Sequence, residues 1–416
     1  MTYLQLLLRL CAIVSTAALA GGGWLLGAWV VREQQLRALF PDGRYHHNPA
    51  ALILGGLLLA WALLGAVPAR RLFGRSRLEA PYAPGPGRHI EAEDGTRLWV
   101  ESYGDEHAPA LILTHAWGLD SSLWRDAKAQ LSQRFRVIVW DLPGHGRSGM
   151  PGDGRLSLER MSDQLKTVLA LANGPALLVG HSIGGMIVLT LCGRLPSLAA
   201  AKVAGIVLEH TTYTDPVRTT RHARLLRPLE APVLRPLLWL DIVLAPLVRL
   251  MNGVGYLSGM THLAMRYGAF GPKPSRTLLE TVSRLAATQS PAVQAKGALA
   301  MMDWDYSLEL LRIRQSAHVF IGGEDRVTCP EAGSAIASGI LGAYETRVPH
   351  AGHFGPIECP SFYDHAIAAF ADAELTRGAA WADQPAAAGR PLDSDRSFEP
   401  EHRTPPAAPG AHPPQA

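Results

Sequence analysis

One serine in this chain lies where a nucleophile is expected. Residues 177–186 read Leu-Leu-Val-Gly-His-Ser-Ile-Gly-Gly-Met, which is an apolar strand, a G-x-S-x-G motif and then a helical pattern. Side chains at Gly180 and Gly184 would collide as the strand and the helix approach each other at such a sharp turn. The turn lifts the hydroxyl of Ser182 above the edge of the sheet. The amide of Ile183, at the helix N-terminus, points to the same place and can stabilise a developing oxyanion.

A serine hydroxyl needs a base, and that base needs a carboxylate to orient it. Two downstream segments offer these groups in the expected order of nucleophile, acid and base. Residues 318–325 read His-Val-Phe-Ile-Gly-Gly-Glu-Asp, a strand that ends in a turn carrying Asp325. Residues 344–348 are another predicted strand, and the following Pro-His-Ala-Gly-His ends at His353. Asp325 and His353 therefore both follow strands on the predicted active edge.

Other histidines and carboxylates are weaker candidates. His350 lacks the Gly-His spacing and is interpreted as a structural loop residue, while His145 and His181 are interpreted as residues that fix turns. Glu209 ends a strand and is interpreted as a carboxylate at the edge of the core or on the surface. An alternative hypothesis is that it orients His353 from a neighbouring position. No histidine–acid cluster has metal-ligand spacing and no glycine-rich phosphate loop is visible. The sequence therefore predicts no metal and no cofactor.

Short runs of strand length alternate with helical patterns over much of the chain. Asp94-Gly95 between the first two runs is a strong hairpin signal. Alternation of strands and helices predicts a largely parallel sheet covered on both faces. Right-handed crossovers then bring the carboxyl ends of the strands to one edge, where functional residues collect. The predicted strands are 88–93, 97–103, 110–114, 137–140, 176–179, 203–208, 318–321 and 344–348.

A long segment interrupts this alternation between the strand that ends near His210 and the strand that begins at His318. The segment is helix-like, rich in Leu and Arg, and contains several prolines. We expect it to form a cap over the sheet edge at about 212–305. Within it, 232–251 is strongly apolar, but its three charges, Pro236 and Pro246 argue against a membrane span. A lid that packs on the core is favoured over a segment that contacts lipid.

The first 68 residues contain two long apolar runs. The run 10–31 has no charged residue and would be roughly 33 Å long as a helix, and a second run covers 49–68. A helix satisfies its backbone groups internally in hydrocarbon, so the two runs predict a transmembrane helical hairpin within 1–68. One alternative is a cleaved signal peptide with Arg9 as its basic region and 18–20 as its cleavage site, and another is a pair of buried helices in a soluble protein. The continuation of the apolar run beyond residue 20 argues against the signal peptide.

Charged residues around these runs predict the orientation. Six arginines flank the outer ends of the two runs and three lie in the loop between them, which favours both ends in the cytoplasm. We therefore expect a multi-pass protein of the inner or plasma membrane, with its catalytic domain in the cytoplasm. A net charge of +3 without a long basic run gives no electrostatic case for nucleic-acid binding.

The remaining segments complete the predicted organisation. Residues 69–87 are basic and then rich in proline and glycine, as in a linker. The catalytic domain is expected over 88–375. Beyond it, 378–416 is rich in alanine and proline and cannot bury enough apolar area to offset its ordering entropy, so this tail is predicted to be disordered.

Four motifs in order resemble those of the α/β-hydrolase superfamily, in its esterase/lipase-like branch. The resemblance covers about 290 residues, from about 88 to 375, and implies an α/β-hydrolase fold. It also implies Ser182 as nucleophile, His353 as general base and acid, and Asp325 as the orienting carboxylate. The motifs are the D-x-P-G-H-G-x-S turn at 141–148, the nucleophile elbow at 180–185, the acid loop at 323–330 and the histidine loop at 352–354.

One departure from the family pattern concerns the oxyanion loop. The family often has His-Gly-x after its early strand, where the amide of x is the second oxyanion donor. Here residues 114–118 read Thr-His-Ala-Trp-Gly, so that Ala116 stands in the glycine position. The resemblance implies that Trp117 supplies the second amide.

These observations together predict a membrane-anchored serine hydrolase that cleaves a carboxylic ester through an acyl-enzyme. The expected partners are membrane lipid and a small hydrophobic ester, such as an acyl ester, a monoacylglycerol or a lysolipid. Cofactor-free haloperoxidase, perhydrolase or carbon–carbon bond hydrolase chemistry on the same triad remains open, because Trp117 lies in the oxyanion loop. A catalytically dead membrane-anchored scaffold is disfavoured because all three triad residues are present.

Overall fold

The computed structural model describes residues 2–74 and 85–382. The strands of this part of the chain form one eight-stranded sheet in the order β1-β2-β4-β3-β5-β6-β7-β8. The first three strands in that order pair antiparallel, and the remaining pairs are parallel. The strands are β1 (Arg88–Glu91), β2 (Arg97–Tyr103), β3 (Ala110–Thr114), β4 (Arg136–Trp140), β5 (Ala176–His181), β6 (Val203–Glu209), β7 (Ala317–Gly322) and β8 (Tyr344–Val348).

Helices cover both faces of the sheet, precede it and fill the segment between β6 and β7. Three helices come before the sheet: α1 (Thr2–Leu39), α2 (Ala50–Leu64) and α3 (Ala66–Phe73). Those between the strands are α4 (Arg125–Leu131), α5 (Leu158–Leu169), α6 (Ile183–Arg194) and α7 (Pro196–Lys202). The segment after β6 contains α8 (Pro216–Thr219), α9 (Ala223–Leu226), α10 (Arg235–Val243), α11 (Ala245–Leu257), α12 (Met260–Gly268), α13 (Arg276–Thr288) and α14 (Pro291–Met302). The last helices are α15 (Pro330–Gly339), α16 (Gly355–Glu358) and α17 (Pro360–Ala382).

The two faces of the sheet carry separate apolar clusters. Successive residues of a strand point to opposite faces, so Ile112 and Leu178 pack with α5 and α6 while Leu111 and Val179 pack with α4 and α17. All four side chains are fully buried. This arrangement confirms the predicted mostly parallel sheet with helices on both faces. Each predicted strand is present to within two residues at its ends.

The helix α1 is long and apolar enough to cross a membrane. It extends well beyond the predicted 10–31, and among the described helices it alone passes tests of length and hydropathy without a bend. The second predicted span, 49–68, is not one straight helix, since α2 and α3 meet at Gly65 with a bend of 59°. A Cβ at Gly65 would lie 2.3 Å from the carbonyl oxygen of Ser258 in the cap. Close approach to another helix therefore accompanies the break.

The first half of α1 packs on protein. Leu4, Arg9, Ala12 and Ser15 are buried. The hydroxyls of Ser15 and Ser258 share a hydrogen bond of 2.7 Å, which ties α1 to the end of α11. The second half is more exposed, and the side chain of Trp24 is 72% accessible. One helix thus contributes both to the packed protein and to the apolar segment that could meet lipid.

Two further predicted boundaries can be compared with the structure. The start of the predicted linker, 69–87, is helical because α3 continues to Phe73, and residues 75–84 lie outside the described residues. The last helix runs to Ala382, past the predicted start of the tail, and 383–416 also lie outside the described residues.

Close contact between α1 and α2 depends on two glycines and leads to a testable prediction. A Cβ at Gly55 would lie 2.9 Å from the carbonyl oxygen of Gly22, whereas a Cβ at Gly56 would meet nothing within 4 Å. We expect Gly55→Ala to lower the thermal midpoint in detergent by separating the helices, at a cost of about 1–3 kcal/mol. The control Gly56→Ala should leave the midpoint unchanged or raise it, because alanine favours the helix. Equal midpoints for the two variants would contradict this packing.

Candidate active site

Ser182 stands on a sharp turn between β5 and α6. Its backbone has φ 55° and ψ −118°, a conformation that non-glycine residues rarely adopt. A Cβ at Gly180 would lie 2.4 Å from the backbone of Gly184, and a Cβ at Gly184 would lie 2.3 Å from the carbonyl oxygen of Thr114. Glycine at both positions therefore lets strand, helix and the end of β3 approach closely enough to hold the strained turn.

The side chains of Ser182, His353 and Asp325 form a hydrogen-bonded row. Ser182 Oγ lies 3.0 Å from His353 Nε2, and His353 Nδ1 lies 3.0 Å from Asp325 Oδ2. All three residues are at most 4% exposed. They follow β5, β8 and β7, which end at the same edge of the sheet. Such a row can remove a proton from the serine hydroxyl and stabilise the imidazolium that results.

The carboxylate of Asp325 is held by backbone and side-chain donors. Oδ1 accepts hydrogen bonds from the amides of Val327 at 2.8 Å and Thr328 at 3.0 Å, and Oδ2 accepts one from the Thr328 hydroxyl at 2.8 Å. Burial opposes ionisation, but the electrostatic interaction with His353 and the hydrogen bonds from His210 and His353 outweigh it and lower the pKa of Asp325. The carboxylate is therefore ionised and fixed in orientation.

A second histidine, His210, contacts the same carboxylate and was missed in the sequence. Its Nδ1 donates to Asp325 Oδ2 at 3.3 Å, and its Nε2 accepts from the hydroxyl of Tyr363 at 2.7 Å. Burial lowers the pKa of His210 despite the opposing effect of Asp325, so the ring is neutral. A Cβ at Gly355 would lie 2.4 Å from His210 Nε2. Its only sequence signal is a polar residue directly after a buried strand, which many loop residues share.

The loop after β3 is fixed by two neutral histidines. His115 Nδ1 donates to the carbonyl of Ala116, and His115 Nε2 accepts from the amide of Leu142. His145 Nε2 accepts from the amide of Gly118 at 3.1 Å. The ring of Trp117 packs edge-on against His145, with ring centroids 4.2 Å apart. The loop that carries the Trp117 amide therefore has one defined path, with alanine in place of the family's glycine.

The cap is tied directly to the histidine loop. The amide of His353 donates to the carbonyl of Ala269 at 2.7 Å. Glu358 accepts from the amides of Gly271 at 2.8 Å and Gly352 at 3.1 Å, which joins the cap to the loop a second time. Burial raises the pKa of Glu358 to about 7. The cap thus helps to position His353 as well as covering the site.

A cavity of about 100 Å³ lies between the cap, α1 and the sheet edge. Its lining is mostly apolar and includes His353, Trp117, Leu8, Val248 and Val282. Burial of an apolar group in such a space is favourable. The cavity therefore reaches His353 and the loop that carries Trp117 from the side of the cap.

The weaker candidates occupy other positions. His350 is exposed in the loop before His353. His181 Nε2 donates to the carbonyl oxygen of His353 at 2.8 Å and so supports the loop. The side chain of Glu209 is fully buried and has no hydrogen-bond partner within the described residues. Burial raises its pKa, and the nearby carboxyl group of Asp364 raises it further. Within residues 2–74 and 85–382, no group of three or more His, Cys, Asp or Glu side chains could hold a metal ion.

Comparison with known families agrees with this geometry. The model of a family described as alpha/beta hydrolase fold matches residues 109–360, which is more than half of the chain. The chain belongs to the α/β-hydrolase family. The matched range of the hydrolase includes β3 to β8, the cap, and the loops that carry Ser182, Asp325 and His353.

Relatives of the hydrolase include esterases. It is 28% identical over 263 residues to a pimeloyl-[acyl-carrier protein] methyl ester esterase of Methylococcus capsulatus, covering 62% of this chain and 91% of that enzyme. It is 47% identical to the enzyme of the same name from Edwardsiella ictaluri, but over 77 residues, 18% of this chain and 28% of that enzyme. Both relatives are named as esterases, and the chain spans less than a third of the length of the Edwardsiella enzyme.

A solved structure extends the similarity of fold toward the N-terminus. The crystal structure of a membrane phospholipase A superimposes on the hydrolase with a TM-score of 0.56 and 19% identity. The superposition covers 85% of this chain and 98% of that one. This similarity concerns the fold alone.

A buried carboxyl group near the site makes stability depend on pH. Burial raises the pKa of Asp364 from 3.8 to about 7, so the unfolded chain loses this proton before the folded one. The stability that depends on the neutral form is present below about pH 4 and is lost as pH rises toward 7. We expect Asp364→Asn to gain stability relative to the native protein between pH 5 and pH 8, on the order of 2–4 kcal/mol.

The measurement is the thermal midpoint in detergent at both pH values. Asp372→Asn is the matched control, because Asp372 lies on the same helix but is exposed and paired with Arg134. The thermal midpoint of Asp364→Asn should rise relative to that of the native protein as pH increases. A difference in midpoint that stays constant or becomes smaller would contradict the raised pKa of Asp364.

Proposed function

We propose that the hydrolase is a membrane-anchored carboxylic ester hydrolase that acts through Ser182, His353 and Asp325. The observation that carries the proposal is the buried row of hydrogen bonds, with 3.0 Å between Ser182 Oγ and His353 Nε2 and 3.0 Å between His353 Nδ1 and Asp325 Oδ2. Family membership and esterase relatives support the same reaction class. The mechanism follows from the positions of these atoms.

In the first half-reaction Ser182 Oγ attacks the ester carbonyl carbon while His353 Nε2 takes its proton. The ionised Asp325 stabilises the imidazolium and keeps the Nδ1 proton directed at itself. The oxyanion of the tetrahedral intermediate is held by the backbone amides of Ile183, at the N-terminus of α6, and Trp117. The intermediate collapses, the carbon–oxygen bond breaks, and the alcohol leaves with the proton from His353.

In the second half-reaction water replaces the alcohol. His353 takes a proton from the water as its oxygen attacks the acyl carbon, and the same two amides hold the second oxyanion. Collapse returns the proton to Ser182 Oγ and releases the carboxylic acid. Atoms and charge balance without a cofactor.

The substrate we propose is a hydrophobic acyl ester, such as a monoacylglycerol or lysolipid. The apolar cavity next to His353 supports this class, since burial of an acyl chain there would stabilise the bound ester. The Methylococcus capsulatus relative, which aligns with this chain over 91% of its own length, is named as a methyl ester esterase. A methyl ester of an acyl chain is therefore the second candidate substrate.

Membrane attachment is proposed through α1 together with α2. The apolar composition of α1 over Tyr3–Leu39 supports it, as does the exposure of large apolar side chains on both helices, including Trp24, Leu57 and Leu64. Water would otherwise meet these side chains. The distribution of flanking arginines favours a catalytic domain on the cytoplasmic side.

The proposed function is tested with membranes that contain the full chain. A fluorophosphonate probe should label the native protein in the membrane fraction, whereas Ser182→Ala should remain unlabelled because the nucleophile is absent. Ser307→Ala, which removes an exposed hydroxyl, should be labelled like the native protein. Turnover of an acyl ester should fall by roughly four to six orders of magnitude in Ser182→Ala.

Two outcomes would count against the proposal. Absence of labelling in a native protein that unfolds cooperatively would favour a scaffold without catalysis. Labelling that persists in Ser182→Ala would place the nucleophile elsewhere. Comparison of monoacylglycerol with the methyl ester of the same acyl chain then separates the two candidate substrates.

A further inference from the structure

One wall of the cavity comes from the N-terminal helix. Leu4, Gln5, Leu8 and Arg9 of α1 line the same space as His353. These residues lie on one face of α1, because positions four apart in a helix are neighbours. The helix proposed as an anchor is therefore also part of the substrate cavity.

Arg9 brings a buried charge to this wall. Its side chain is 8% exposed, and its Nη2 donates to Oδ1 of Asp241 on α10, which also lines the cavity. Burial raises the pKa of Asp241, and the hydrogen bond and charge of Arg9 oppose that rise. Arg9 Nη1 is buried and has no hydrogen-bond partner within the described residues. The pair is thus close to neutral overall, and both N–H groups of Arg9 Nη1 are left without an acceptor within the described residues.

Gln5 contributes an unused acceptor one helical turn away. Its Nε2 donates to the carbonyl oxygen of Gln294 at 3.0 Å, and the indole of Trp117 donates to the same carbonyl at 3.3 Å. Gln5 Oε1 is buried and has no partner within the described residues. The side chain is therefore held in place beside the oxyanion loop with its acceptor unused.

Unpartnered buried polar atoms cost free energy unless a ligand or an ordered water molecule satisfies them. An ionised carboxylate or phosphate fits this pair poorly. It would add net negative charge beside Asp241 in an apolar cavity, and it has no hydrogen to donate to Gln5 Oε1. A hydroxyl group has the chemistry that this pair needs, because it can accept a hydrogen bond from Arg9 and donate one to Gln5.

We propose that Arg9 and Gln5 bind a neutral hydroxyl group of the ester substrate, so that α1 determines specificity. The inference rests on the proposed esterase function and narrows its substrates to hydroxyl-bearing esters. A glycerol hydroxyl of a 1-monoacylglycerol and a hydroxyl on the acyl chain share this chemistry. Arg9 acts here on binding and selectivity and takes no part in proton transfer.

The test measures kcat/KM of the full-length protein in detergent micelles for two ester pairs with one acyl chain. The first pair is the 1-monoacylglycerol and the propyl ester, which differ only in two hydroxyls of the alcohol. The second pair is the methyl ester of the acyl chain with and without a terminal hydroxyl. Two variants are compared with the native protein: Arg9→Lys, which keeps the charge but has a single terminal nitrogen in place of Nη1 and Nη2, and the double variant Arg9→Met/Asp241→Leu, which removes both charges together.

We expect both variants to lose about 10- to 100-fold in kcat/KM on at least one hydroxyl-bearing ester, because a hydrogen bond to a charged donor is lost. The ratio of kcat/KM on that hydroxyl-bearing ester to kcat/KM on its matched plain ester should therefore fall, because the plain ester never made the bond and any general effect of the variant on the cavity cancels in the ratio. Arg235→Met is the matched control: Arg235 lies on α10 and pairs with Glu230 and Asp303, and it is not among the lining residues. This control should leave both ratios unchanged.

Each outcome has a defined meaning. Loss confined to the monoacylglycerol places the bound hydroxyl on the leaving alcohol, and loss confined to the hydroxylated acyl ester places it on the acyl chain; both support the inference. An equal change on hydroxylated and plain esters, or no change in either ratio, overturns it while leaving the esterase function intact. Failure of the native protein to cleave even the propyl and methyl esters would overturn the proposed function instead.

Discussion

The hydrogen bond between Ser182 Oγ and His353 Nε2 is the interaction on which the proposed chemistry depends. It joins residues that are 171 positions apart in the chain, so no local structure can form it. Parallel strands that end at one edge bring the two loops together, and the strained turn at Ser182 aims the hydroxyl. The two elbow glycines permit that turn because any Cβ there would meet backbone.

The surroundings of the histidine show how several elements share the task of holding it. Asp325 fixes the ring from one side, and His210 and Thr328 fix Asp325 in turn. The cap reaches the same loop through the carbonyl of Ala269. Because α1 packs on the cap and lines the cavity, the apolar N-terminal segment and the site form one structural unit. Attachment to a membrane would then act on the same helix that shapes the substrate cavity.

Local pattern was enough to predict the sheet and the positions of the main candidate residues. Ser182, Asp325 and His353 each follow an apolar strand within a short motif, so their place at the sheet edge could be deduced from strand order. His210 has no such motif, and its contact with Asp325 arises from residues 115 positions apart. The pair of Arg9 and Asp241 was hidden for the same reason, since 232 positions separate them. The break between α2 and α3 depends on a backbone contact with the cap that no window of the sequence contains.

The most direct measurement is a crystal structure of the full-length protein after reaction with an alkyl phosphonate ester, a mimic of the tetrahedral intermediate. We expect a phosphorus atom bonded to Ser182 Oγ and a phosphonyl oxygen about 3 Å from the amides of Ile183 and Trp117. We also expect His353 to remain hydrogen-bonded to Asp325. Attachment of the phosphonate to a different residue, or a phosphonyl oxygen directed away from both amides, would contradict the proposed mechanism.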